Sequence, residues 1–308
     1  MHKAEPLKLG TRGSPLALVQ ARAAAAALVA AHGWAEDSVE IVPIKTTGDK
    51  VQDRPLAEIG GKALWTKELD RALLAGDIDF AVHSAKDMES VRPEAIALAA
   101  ALPRADVRER IIGVSGLDAL TPGMRVGTTS PRRAAQLLAR VPGLGLVPFR
   151  GNVATRLARI DAGEADATLL ASAGLERLGL HAIGAFIPVE TLLPAPGQAI
   201  IAIEARAGDS AMLGRLAAIT DADTMTALVA ERAFAAALGG SCHSPVAALA
   251  VRDGDAFHLR AEILSPDGRE RIAEETRFPA ADAASAGRAL ARTILNRASP
   301  ALRSLFVA

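Results

Sequence analysis

Residues 124–140 read MRVGTTSPRRAAQLLAR. A short strand-like run gives way to two threonines, then to Ser130-Pro131 and a stretch with helical spacing. Serine offers an oxygen to the unpaired amides of a helix's first turn. Proline suits the first helical position because its missing N–H has no partner to lose there. The same grammar stands near the beginning of the chain, where residues 7–20, LKLGTRGSPLALVQ, run from strand through turn to Ser14-Pro15. Leu16, Val19, Ala23, Ala26 and Ala30 are expected to be the apolar stripe of that first helix. Two helix-to-strand joints also echo each other, LLAGDIDFAVHSAKD at 73–87 and IDAGEADATLLASAGLE at 160–176. Alternating strands and helices make an α/β sheet, and the repetition predicts two similar α/β domains.

Working outward, residues 39–48 (VEIVPIKTTG) predict a further strand, and residues 46–63 a polar, exposed and mobile loop. A helix is expected over Ala63–Ala75, stopped by Gly76, and Asn152 is placed to cap another. LLPAPGQ at 192–198 reads as a connector. From about Asp221 the pattern changes to helix, hairpin-like strands and a last helix, which predicts a smaller α+β domain.

The 308 residues are 50% hydrophobic and 23% charged, as in ordinary globular proteins. Lys plus Arg and Asp plus Glu number 35 each, so no global field draws the chain to nucleic acid or an anionic membrane. Anion recognition has to come from local clustering. Residues 21–33, ARAAAAALVAAHG, look like a signal core, but Gln20 and Arg22 interrupt the run and a strand precedes it. It reads as a core helix, and no run is expected to reach bilayer-spanning length. A single cysteine excludes an internal disulfide and any multi-thiolate metal site, and fits a reducing cytoplasm.

Arg12, Arg132 and Arg133 lie at strand-to-helix turns, Arg150 precedes the Asn-capped helix, and Arg156 lies one turn inside it. Open α/β sheets bind ligands at the carboxyl ends of their strands. Helix N-termini there present free N–H groups and a positive dipole end. Converging guanidiniums at such positions point to a cleft for carboxylates or phosphates. Neither GxGxxG nor GxxxxGK[ST] occurs, which disfavours a standard nucleotide fold. VHSAKDM at 82–88 puts His83, Ser84, Lys86 and Asp87 at a strand end. Two readings stand at this point: a surface ion pair of small energetic weight, or a carboxylate kept ionised to steady positive charge and move protons. Cys242 sits in LGGSCHSPVA, on a glycine-flanked turn. Residue chemistry alone does not decide between a small apolar thiol and a nucleophile.

Eight stretches occur in order: TRGSPLALVQA, GGKALWTKEL, AVHSAKD, VGTTSPRRAAQL, FRGNVATRL, AGLERLG, LPAPGQ and GGSCHSP. Together they resemble the porphobilinogen deaminase (hydroxymethylbilane synthase) family over nearly the whole chain. The resemblance implies a transferase of tetrapyrrole and heme biosynthesis. Such an enzyme joins four porphobilinogen units head to tail, with loss of ammonia, on a dipyrromethane primer held by a thioether to Cys242. Water then releases hydroxymethylbilane, and no metal is implied. By the same resemblance Cys242, Ser84, Lys86, Asp87, Thr128, Ser130, Arg132 and Arg133 hold the cofactor. Arg12, Ser14, Arg150, Arg156, Arg177, Lys62, Lys67 and Gln198 meet the substrate or growing chain, Lys62 and Lys67 from a lid. Asp87 is the expected catalytic carboxylate. Each pyrrole carries an acetate and a propionate, which gives the arginines a reason, because unpaired buried charge is prohibitively costly.

The implied fold is two doubly wound α/β domains resembling the periplasmic-binding-protein clamp, plus a smaller α+β C-terminal domain that presents Cys242. The expected limits are 1–104 with 196–220, 105–195, and 221–308. The likeness further implies a cytoplasmic monomer, with room for hand-over of product to the next tetrapyrrole-pathway enzyme. Three positions depart from the family pattern: Met88-Glu89-Ser90 where Val-Pro commonly follows Lys-Asp, Trp65 for Phe, and Ala199 for Gly. They are expected to alter the turn after Asp87, the lid packing and the hinge. The competing reading is a non-catalytic cytoplasmic two-domain module for a small anion, with Cys242 structural.

Overall fold

The computed structural model describes residues 5–45, 66–239 and 244–306. Lys62, Trp65, Cys242, the expected loop at 46–63 and the first residues of the helix expected from Ala63 lie outside them. The chain begins with β1 (Leu7–Arg12), α1 (Pro15–His32), β2 (Val39–Ile44), α2 (Lys67–Ala75), β3 (Phe80–Ser84) and β4 (Ile96–Ala101). It continues through β5 (Glu109–Ile112), β6 (Arg125–Gly127), α3 (Pro131–Arg140), β7 (Gly145–Val147), α4 (Val153–Asp161), β8 (Ala167–Ala171), α5 (Ser172–Arg177) and β9 (Ala185–Ile187). Next come β10 (Ile201–Arg206), α6 (Ser210–Ala217), α7 (Ala222–Ala237) and the strands β11 (Val246–Asp253), β12 (Ala256–Leu264) and β13 (Arg271–Phe278). The helices α8 (Ala283–Arg297) and α9 (Pro300–Arg303) close the order.

Two compact units result, Met1–Arg104 with Ile200–Met225, and Ala105–Ala199 with Thr226–Ala308. The sheet of the first unit runs β2-β1-β3-β10-β4, and the larger sheet of the second runs β7-β6-β8-β5-β9. In the first, β1 is parallel to β2 and β3, while β10 is antiparallel to β3 and β4. In the second, β6 is parallel to β7 and β8, while β5 is antiparallel to β8 and β9. The two sheets therefore match strand for strand. Each inverted strand, β5 or β10, is the first strand after the chain passes from one unit to the other, at 104–105 and at 199–200.

Helices cover both faces of the first sheet. Leu9, Phe80, Val82, Ile201 and Ile203 pack with Ala21, Ala24 and Leu28 of α1 and with Met212 and Leu216 of α6. Ile78, Ala81 and Ile96 pack on the other side under Leu69 and Leu73 of α2. Two expectations about α1 fail. Its buried residues are Gln20, Ala21, Ala24 and Leu28, whereas Ala23, Ala26 and Ala30 of the expected stripe are exposed. A run of alanines offers little contrast between faces, so Leu28 and the partner of Gln20 decide which side turns inward. The helix is also long and apolar enough, by composition, to cross a membrane; here it lies against β1 and β3.

In the second unit Ile111, Val126, Leu137 and Leu169 fill one face of the sheet, and Ile112, Leu170 and Leu175 the other. A separate antiparallel sheet, β11-β12-β13, packs Phe257, Leu259 and Ile263 against Phe234 of α7 and Leu290 and Ile294 of α8. This is the α+β part expected at the C-terminal end.

Candidate active site

In the first unit the carboxyl ends of β1 and β3 lie side by side, because these strands pair in parallel. Arg12 ends β1. Ser14 caps α1, its Oγ accepting from the amide of Ala17 at 3.3 Å, with Pro15 in the first turn. β3 delivers His83 and Ser84 and runs into a single 3-10 turn, Ala85–Asp87. Arg12, Ser14, Gln20, Thr66, Ser84 and Asp87 line one pocket, together with His83. Asp87 is exposed there and Lys86 half-buried. The Gln20 amide nitrogen donates to Ser84 Oγ at 2.9 Å. Lys67 opens α2 one residue beyond Thr66 and is exposed.

A buried charge cluster stands behind this pocket. Glu204 of β10 is fully buried, with Oε2 3.2 Å from His83 Nε2. The Arg92 guanidinium forks onto the same carboxylate, Nε to Oε1 and Nη2 to Oε2, both at 2.8 Å. Burial alone would raise the Glu204 carboxyl, but His83 and Arg92 overcome it and hold it down at about 2. Arg92 also donates to Asp70 of α2, to Glu89 Oε2 at 2.6 Å and to Thr66 Oγ1 at 3.0 Å. Burial outweighs Arg92 at Asp70 and raises its carboxyl above the usual range.

In the second unit β6 and β7 pair in parallel, Gly127 opposite Val147, so the turns that start α3 and α4 emerge at the same end of the sheet. A Cβ at Gly127 would fall 2.4 Å from the Phe149 ring, which only glycine avoids. Ser130 Oγ accepts from the Arg133 amide and Asn152 Oδ1 from the Thr155 amide, the two expected caps. Thr128 is buried and its Oγ1 accepts from the Ser130 amide. Arg150 precedes α4, and Arg156 Nε donates to the Gly151 carbonyl at 3.2 Å.

Arg132 and Arg133 are buried and converge on one carboxylate. Arg132 Nη2 reaches Glu109 Oε1 at 2.5 Å and Arg133 Nη2 reaches Oε2 at 2.7 Å. Arg132 also donates to the Leu193 carbonyl and to Gln136, whose amide donates on to Glu262. Two guanidiniums on one carboxylate leave one net positive charge, a donor set that suits a polycarboxylate ligand. Arg177 and Gln198 are placed elsewhere in this unit. Arg177 Nη2 donates to the Ala199 carbonyl at 2.7 Å, and Gln198 Nε2 to the Val107 carbonyl at 2.8 Å. Both therefore brace the connector. Ala199 itself has φ 71°, unlike any other non-glycine residue among those described.

Sequence reasoning assigned Arg12 and Ser14 to substrate and Ser84 and Asp87 to the cofactor, four residues that line one pocket in the structure. It missed Gln20, Thr66 and Glu204 as parts of the site, and Glu109 as the partner of the paired arginines. No group of three or more metal-ligating side chains occurs among the described residues.

Residues 7–214 match the family model described as porphobilinogen deaminase, dipyromethane cofactor binding domain, and residues 225–296 match the porphobilinogen deaminase C-terminal domain. The chain is 54% identical over 307 residues to the porphobilinogen deaminase of Sphingopyxis alaskensis, covering 98% of this chain and 96% of the relative. It is 51% identical over 296 residues to that of Paracoccus denitrificans, covering 95% of each. Among solved structures, the BvgS VFT2 domain of Bordetella pertussis overlays with a TM-score of 0.40 at 18% identity, covering 70% of this chain and 85% of that one. That overlay is too loose to carry an argument. Family models spanning both parts of the sequence, and relatives matched over almost their full length, place this chain in the porphobilinogen deaminase family.

Proposed function

We propose that the chain is a hydroxymethylbilane-forming transferase, with Asp87 as its reacting carboxylate. It condenses four porphobilinogen molecules head to tail, each losing ammonia, and hydrolyses off the linear product. The observation that carries the residue assignment is the meeting of Asp87 with Arg12 and Ser14 in one pocket at two strand ends, in a chain of this family. Arg12 and Ser14 suit the carboxylates of an incoming porphobilinogen, through guanidinium, hydroxyl and the helix N-terminus. Asp87 steadies the cation that porphobilinogen becomes as ammonia leaves, then takes the proton lost on coupling. Exposure of Asp87 in the pocket leaves it free to approach that charge.

A dipyrromethane cofactor suits the donors of this chain. Lys86, Ser84, Thr128, Ser130, Arg132 and Arg133 would hold its carboxylates, and Cys242 would anchor it. When bound, it would supply the free pyrrole carbon to which the first porphobilinogen unit is joined. Arg150, Arg156, Arg177, Lys62, Lys67 and Gln198 would attend the growing chain, with residues 221–308 carrying the anchor. Arg177 and Gln198 would act through the connector they brace. A single cysteine that has to stay a free thiol until modified suits a reducing compartment, and we place the enzyme in the cytoplasm as a monomer able to pass product onward.

Intact-mass measurement tests the reading. Protein from cells that make porphobilinogen is expected to be heavier than its sequence by two linked pyrrole units. Cys242→Ser should lose that increment, and the wild type should consume porphobilinogen. An unmodified mass with no porphobilinogen consumption favours the anion-binding module instead.

A further inference from the structure

The geometry points to Arg92 and Glu89 as positioning residues for the Asp87 turn. Their role rests on the reading of Asp87 given above. Three of the residues lining the pocket, Thr66, His83 and Asp87, come from different places in the chain. Arg92 links the first two and holds the segment that follows the third. It donates directly to Thr66 Oγ1, and it shares Glu204 with His83. It also reaches back to Glu89, two residues past Asp87, and Thr66 Oγ1 donates to that same Glu89 oxygen at 2.8 Å.

The turn has one apolar anchor on this side, Met88, which is buried; Val91, between Glu89 and Arg92, is 73% exposed. Glu89 and Arg92 therefore fix where the segment after Asp87 runs. The fork matters as well as the charge. A planar guanidinium holds Glu204 with two nitrogens while the third turns to Glu89 and Thr66, which an ammonium on a flexible stem does not reproduce. Glu89 lies within Met88-Glu89-Ser90, the stretch expected from the sequence to alter the turn after Asp87.

Glu89→Ala is the test, because Glu89 is partly exposed, at 24% of its side chain, and its removal leaves Arg92 paired with Asp70 and Glu204. With purified cofactor-loaded enzyme, kcat is expected to fall at least fivefold. KM for porphobilinogen should stay within twofold, with the cofactor mass and Tm of wild type. Glu89→Gln should recover kcat to within twofold of wild type, since its amide oxygen still accepts from Arg92. Arg92→Lys should lose at least tenfold. Wild-type kcat in Glu89→Ala overturns the role, as does a loss explained by missing cofactor or by unfolding, or a Gln variant no better than Ala. A wild type with neither the cofactor mass nor porphobilinogen consumption defeats the enzymatic reading itself, and the role falls with it.

Discussion

Glu204→Gln probes the buried charge cluster most directly. A carboxyl whose ordinary value is 4.5 and which stands at about 2 in the fold stabilises the native state by about 3 kcal/mol at neutral pH. The folded value is the lower one, so that stabilisation is complete above the unfolded value and is lost as pH falls from 4.5 towards 2. Glutamine keeps the shape but cannot ionise. At pH 6 the variant should be less stable than wild type by about 3 kcal/mol, within the range for breaking a buried pair. By pH 3 about half of that gap should have closed, because wild type has begun to lose what the variant never had. Urea unfolding followed by tryptophan emission suits the measurement, because Trp34 packs against the core of the first unit. Carboxylates remote from the cluster titrate alike in both proteins and cancel in the difference, whereas Asp70, raised by burial and in part by Glu204, shifts down in the variant. A gap that stays constant from pH 6 to pH 3, or one below about 1 kcal/mol at pH 6, would refute an ionised Glu204 clasped by Arg92 and His83.

Asp87→Asn should keep at least part of the cofactor mass while porphobilinogen turnover falls by about 100-fold or more; near-normal turnover removes Asp87 from the mechanism. Ala199→Gly should raise Tm by about 1–2 °C, because relief of a left-handed alanine, worth about 1 kcal/mol or more, slightly exceeds the added entropy of an unfolded glycine. A lower Tm on calorimetry would mean that the connector carries no strain at φ 71°. Glu109→Gln should cost about 3–5 kcal/mol, since it strips the counter-charge from two buried guanidiniums. A urea-midpoint shift worth less than about 1 kcal/mol would mean that those guanidiniums do not depend on that carboxylate.

The duplicated α/β architecture was legible because capping is local. A serine oxygen and a proline ring announce a helix start whatever the chain does elsewhere, and Ser14-Pro15 and Ser130-Pro131 mark equivalent joints. Strand order was not legible from such signals, because β5 and β10 enter their sheets from across the chain, and only the family likeness anticipated the second passage. The face of α1 was hidden for a different reason: alanine is nearly as comfortable exposed as buried, so spacing carried little information. Arg12 and the Ser84–Asp87 stretch could each be placed at a strand end, but only the parallel pairing of β1 and β3 brings them together. The Glu204–Arg92 contact joins residues 112 positions apart, beyond anything that local pattern can show. Arg132 and Arg133 were visible as cations at a helix start, but Glu109, which already engages them, was not.

The balance of charge shows why net composition told so little. In the first unit one guanidinium, Arg92, faces three carboxylates, Asp70, Glu89 and Glu204. In the second, two guanidiniums face a single carboxylate, Glu109. A chemistry that makes a cation from a substrate bristling with carboxylates needs both kinds of surroundings. An excess of negative charge behind the Asp87 pocket favours the developing cation, and an excess of positive charge at the start of α3 favours the carboxylates. Mixed at one place these fields would cancel. Housed in separate copies of the same sheet they do not, although the sequence as a whole, with 35 charges of each sign, is neutral. Duplication of the α/β unit therefore does more than enlarge the protein. It lets two strand-end sites of identical topology carry opposite electrostatics: each inverted strand brings in one buried carboxylate, Glu204 or Glu109, and the sign is set by what gathers round it, one guanidinium with two further carboxylates in the first unit and two guanidiniums in the second.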